Sequence, residues 1–150
     1  MRMRTWLLVS LPLMLGTLSV TGEIASGQQQ QSNSIDSSSA AEESRRIFTD
    51  IELGLAQGNP AVFSDHLASQ LYVSIPGEPG AYFSSSQAFY LLEQFFQRSR
   101  LPDFRFTTMA AGPGTPYASG MVSGTRGRAQ VYVSLSRSGA HWVISKISIF

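Results

Sequence analysis

Few side chains in this 150-residue sequence could do chemistry. The proton carriers worth weighing are Asp50, Asp65, His66, His141, Tyr72 and Tyr90. Asp50 stands three residues after Ile47 and one before Ile51, so it borders an apolar helix face, where a carboxylate can serve as a general base. Its simpler reading is a solvated acid at a helix edge. Asp65 and His66 are adjacent, and adjacent helical residues point about 100° apart, so adjacency alone makes no dyad. His66, near a helix end, suits the negative end of the helix dipole. His141 lies beside a turn and is expected to be exposed. Tyrosines line pockets or interfaces, and each taken singly reads as packing. The chain has no cysteine and only two histidines, which removes disulfides, thiol nucleophiles and the common zinc sets. No His-x-x-x-His pair and no Gly-x-Ser-x-Gly elbow occurs. The residues predict no catalytic group, no metal and no cofactor.

Composition limits what can hold these groups. Hydrophobic residues make up 43% of the chain and charged ones 14%, against a usual charged share of about 25%. That suffices for one core and is too few charges for a disordered or coiled-coil chain. A formal net charge of +1 argues against a nucleic-acid partner, which needs a basic face.

The N-terminus reads as an export signal over residues 1–27. Arg2 and Arg4 precede an apolar run from Trp6 to Val20, 15 residues long, where a membrane span needs about 20. Small residues follow, with cleavage expected after Gly22 or Gly27. An uncleaved membrane tether is the alternative. The protein is thus expected outside the cytoplasm, periplasmic or extracellular. Loss of residues 1–27 removes Arg2, Arg4 and Glu23 and leaves no net charge. Residues 28–40, rich in Ser and Gln, read as a disordered spacer, and residues 41–150 as one domain.

Within the domain, Ser44, Ile47, Phe48, Ile51 and Leu55 recur at helical steps and predict a helix over about 40–57, with Glu42 and Glu43 in its first turn. Gly58-Asn59 stops it. Pro60 opens a short helix over 60–67. Leu71–Ile75 and Ala81–Phe83 read as a hairpin around a five-residue Pro76–Gly80 loop. Ser84 and Gln87 match a capping box that starts a second long helix. Ala88, Phe89, Leu92, Phe95 and Phe96 form its apolar stripe. Four strands follow, expected over 103–110, 116–125, 128–136 and 140–150. In the last, Trp142 and Ile144 are out of phase with Ile147 and Ile149, so a bulge near Ser145-Lys146 is needed to face all four inward.

Helices early and antiparallel strands late make an α+β fold, in the order α-α-β-β-α-β-β-β-β, with a curved antiparallel sheet wrapped on helices as an apolar cone. This order resembles the nuclear transport factor 2-like, cystatin-like cone fold shared by ketosteroid isomerase and scytalone dehydratase. More narrowly, residues 41–150 resemble the secreted bacterial domain-of-unknown-function family 4783. The matching features are Gly58-Asn59, Gly80-Ala81-Tyr82-Phe83-Ser84, Phe95-Phe96, Tyr117-Ala118-Ser119-Gly120, and the strand Gly127–Leu135 with its Trp142–Ile149 successor. The resemblance implies a fold and no activity. Enzymes of the superfamily place Asp or His side chains inside the cone.

Two functions follow as expectations. The first is a non-enzymatic envelope protein, a binding or scaffold module that takes a small apolar ligand or a protein partner. The alternative is an isomerase or hydro-lyase of the ketosteroid-isomerase type, which requires two convergent ionisable groups deep in the cone. The pocket is expected between the second long helix and the sheet, lined by Phe48, Ile51, Tyr72, Phe89, Tyr90 and Met121. Nine phenylalanines could instead fill the cone. A homodimer through the sheet is a further expectation, because Gln130, Tyr132, Ser134 and Ser136 should form an outward face with hardly any charge.

Overall fold

The computed structural model describes residues 24–99, 101–124 and 127–150. Apart from residues 24–27, the expected export signal lies outside them. Helix α1 (Ile24–Gln57) begins well upstream of residue 40 and runs through the stretch whose composition predicts a spacer. Residues 36–39 are exposed, and burial begins at Ala40. Once 40–57 is docked, adding turns costs little compared with nucleation, so the helix continues past the part that packs. Glu42 and Glu43 therefore lie mid-helix and not in a first turn.

Gly58 closes α1 in the left-handed region (φ 66°), and Asn59 donates its amide to the Gly54 carbonyl at 2.8 Å. The Asn59 side chain then accepts from Ala61 N at 3.1 Å and caps a 3-10 helix, Pro60–His66. Strands β1 (Leu67–Ile75) and β2 (Glu78–Ser84) follow. Both are longer than expected, and the loop shrinks to Pro76-Gly77, with Gly77 at φ 90°. Helix α2 (Ser85–Arg98) starts at the expected capping box: Ser84 and Gln87 bond each other's backbone amides.

The expected strand over 103–110 is reduced to β3 (Thr108–Ala110). Asp103 sits at φ 60°, which a strand residue does not adopt, and the Phe106 amide donates to Glu52 of α1 at 2.6 Å in place of a neighbouring strand. Then come β4 (Tyr117–Gly124), β5 (Gly127–Ser138) and β6 (His141–Ile149).

The six strands form one open, curved sheet in the order β2-β1-β6-β5-β4-β3. It is mixed and not wholly antiparallel, because β1 lies parallel to β6. The β5–β6 register steps from Ser134↔Lys146 to Leu135↔Ile144, leaving Ser145 as the extra residue of a bulge. Trp142, Ile144, Ile147 and Ile149 are all buried as a result.

The concave face holds the core. Ile47, Phe48, Ile51 and Leu55 of α1 and Ala88, Leu92, Phe95 and Phe96 of α2 pack with Leu71, Val73, Val131, Val133, Leu135 and Ile147. Phe104 enters from the connection before β3, edge-on to Phe106 at 5.1 Å. Polar contacts with β6 also dock α1: Trp142 Nε1 donates to the Ala40 carbonyl at 3.0 Å, and Glu43 faces His141 at 3.1 Å.

Candidate functional site

The six residues expected to line a mid-cone pocket do not share one cavity. Phe48 and Ile51 are fully buried in the core, and the Phe48 ring meets Phe106 edge-on at 5.8 Å. Phe89 is partly buried against that core. Tyr90, on the opposite side of α2, is 62% exposed. Tyr72 and Met121 lie on the convex face, because strand alternation turns Leu71, Val73 and Val122 inward and their neighbours outward. Phe48, Phe63, Phe96 and Phe104 occupy the interior, each no more than 1% exposed.

The cone opens at one end instead. A cleft of about 910 Å³ lies between the β1–β2 turn, the C-terminal end of α2 and the β4–β5 turn. Among the described residues its apolar surface comes from Phe95, Leu101, Pro102, Ala129 and Phe150, and its charges from Arg98, Arg128 and Glu78. Among the described residues no carboxylate pairs with either arginine; Arg98 Nε instead donates to the Gln94 carbonyl at 3.2 Å. Phe150 is held at the mouth by two backbone bonds with Gln130, of 2.9 and 3.1 Å. The sequence hides this site because each residue has a local role: Phe95 belongs to the α2 stripe, Arg98 to the helix end, and Phe150 to the last strand.

A second concavity, about 650 Å³, lies beside α1 and the β5–β6 turn. Charged side chains line it, among them Asp36, Glu42, Glu43, Arg46, Arg137 and His141. Most of its charges engage one another or the fold: Arg46 pairs with Glu42 at 3.4 Å, His141 with Glu43 at 3.1 Å, and Arg137 lies over the Trp142 ring at 4.1 Å.

Of the proton carriers, two meet. His66 Nε2 stands 3.2 Å from Asp50 Oδ2, across 16 residues of sequence. Their side chains are 35% and 41% exposed, and neither lines the cleft. Asp65 is exposed. His141 is exposed as expected, and pairs with Glu43. Among the described residues no three His, Asp or Glu side chains converge as metal ligands, and no helix is long and apolar enough to cross a membrane.

The model of a domain of unknown function, DUF4783, matches residues 48–149. A DUF4783 family protein from Bacteroides uniformis has a similar structure, with TM-score 0.62 and 15% identity over 67% of this chain and 93% of that one. An NTF2-like protein of unknown function from Shewanella baltica aligns with TM-score 0.53 and 9% identity over 73% and 90% of the two chains. A candidate dehydratase of the NTF2-like family from Streptomyces avermitilis aligns with TM-score 0.56 and 10% identity over 75% and 95%. At such identities these likenesses show the fold alone. No curated protein matches the sequence.

Proposed function

The chain belongs to the DUF4783 family, a domain family of unknown function, and we propose that it is an exported, non-enzymatic module that binds a small, mainly apolar molecule with an acidic end. One observation carries this reading: the open cleft joins an apolar wall to two arginines that lack a carboxylate partner among the described residues. A pocket with a few placed polar groups on an apolar lining is the usual make-up of a small-molecule site. The aliphatic body would lie on Phe95, Leu101 and Phe150, and the acid would face Arg98 or Arg128.

The test is a thermal-shift titration with dodecanoate and dodecanol, paired with native mass spectrometry of gently purified protein. Dodecanoate should raise the melting temperature more than the alcohol, and Arg98→Ala with Arg128→Ala should erase the difference. Equal, null responses to both ligands would overturn the reading. Export is tested separately: N-terminal sequencing of protein made in a bacterial host should begin near residue 23 or 28, whereas an intact Met1 in the cytosol would sink it.

The isomerase or hydro-lyase reading has one observation in its favour, the Asp50–His66 contact. Its half-exposed place, apart from the cleft, favours binding over turnover, since acid–base pairs gain their power from enclosure with the substrate.

A further inference from the structure

Four of the five tyrosines of the chain stand on the convex face of the sheet. Tyr82 of β2 is in register with Tyr72 of β1, and Tyr72 with Lys146 of β6. Lys146 is in register with Ser134 of β5, and Ser134 with Tyr117 of β4. Tyr132, two residues before Ser134 and on the same face, stacks on Tyr117 with ring centres 6.0 Å apart. The row crosses five neighbouring strands, a span of about 19 Å. None of these residues lines the cleft.

Lys146 is the only lysine in the chain. Its ammonium lies 5.4 Å from the centre of the Tyr72 ring and 5.6 Å from that of Tyr132, within cation–π range of both. No carboxylate pairs with it among the described residues. The six strands contain a single acidic residue, Glu78, at the turn end of β2.

From this arrangement we propose that the convex face binds a linear acidic polysaccharide, with pyranose rings over the phenols and a sugar carboxylate at Lys146. Phenol rings carry a negative face that attracts the polarised C–H groups of a sugar ring. Partly exposed hydroxyls flank the row at Ser74 and Ser119 and match a hydroxyl-rich ligand. The unpaired cation asks for a negative group, and the near absence of carboxylates leaves nothing to repel it. A second copy of the chain fits poorly, because a two-fold axis through the row would bring Lys146 against its own copy without a neutralising acid. A nucleic acid needs many more cations than one lysine in the row supplies.

The experiment is calorimetric titration of the intact protein with oligogalacturonate, a neutral cello-oligosaccharide and polyglutamate, with Lys146 acetylation as a footprint. Oligogalacturonate should bind and shield Lys146 from acetylation. Lys146→Gln should weaken it about tenfold, the factor expected for one charge-assisted contact, and Lys146→Arg should retain most of the binding. Tyr132→Ala, checked for folding by circular dichroism, should weaken both saccharides. The proposal is overturned if oligogalacturonate does not bind, if Lys146→Gln binds it as wild type does, or if polyglutamate binds equally well. It is overturned too if sedimentation shows self-association that Tyr132→Glu abolishes, for then a second copy occupies the face.

Discussion

The phenol of Tyr72 lies where the β-carbon of Gly80 would be if that residue had one. Strand β2 lacks a side chain at this point, and the Tyr72 ring of β1 reaches across onto its backbone. The same ring meets Tyr82 edge-on at 5.5 Å and faces Lys146. Gly80 is therefore more than a turn residue; it gives the row of tyrosines room to lie on the sheet.

Gly80→Ala should move the ring and leave the fold intact. The nearest group in the way is the far end of a side chain, so Tyr72 can swing aside, and the Ser74 β-carbon, 3.2 Å away, need give only slightly, for a cost below about 1 kcal/mol. The Lys146 side-chain resonances should then shift as the aromatic ring leaves, measurable by NMR. Unfolding at low urea in this variant would show that Tyr72 is locked and not free to move.

Gly120→Ala should behave differently. A β-carbon there would meet the Arg105 carbonyl oxygen, the α-carbon of Phe106 and the Phe104 ring. Two of these are backbone atoms of the segment that Glu52 ties to α1. They have nowhere to go, so the cost should be about 1–3 kcal/mol. Urea melts of the two glycine variants, run side by side, give the ordering.

What could be read from the sequence was local. The Ser84–Gln87 capping box needs four consecutive residues, and the Ser145 bulge shows in the phase of Trp142, Ile144, Ile147 and Ile149. The parallel β1–β6 pair was not readable, since it joins strands far apart in the chain and no periodicity encodes a partner. Phe104 and Phe106 alternate like strand residues, yet a helix carboxylate took the amide that a neighbouring strand would have needed. The Asp50–His66 contact escaped for a similar reason: α1 and the 3-10 helix had to be folded against each other before the two side chains could meet. The convex tyrosines, each bland alone, form a row only once β2, β1, β6, β5 and β4 are in register.

Met121→Trp tests which side of the sheet β4 shows to solvent. Met121 is 56% exposed and pairs with Gln130 on the convex face. A tryptophan there has room, so stability should change by no more than about 0.5 kcal/mol. Were Met121 inside the cone, the added volume would cost about 1–3 kcal/mol as overpacking. Thermal melts separate the two.

Trp142→Phe tests how α1 is fastened. The indole is 3% exposed, and its N–H donates to the Ala40 carbonyl at 3.0 Å, where burial of α1 begins. Phenylalanine keeps an aromatic ring for the Arg137 guanidinium but loses the donor and part of the volume. The lost hydrogen bond and the smaller ring together should cost about 1–3 kcal/mol. The loss should be local as well as global: amides around Ala40 to Arg46 should exchange faster, while those of α2, which does not receive the indole hydrogen bond, should keep their relative protection. Hydrogen exchange read by mass spectrometry resolves the two segments. Uniform loss of protection across both helices would mean that the indole contributes to the core as a whole and that the Ala40 contact does not fasten α1.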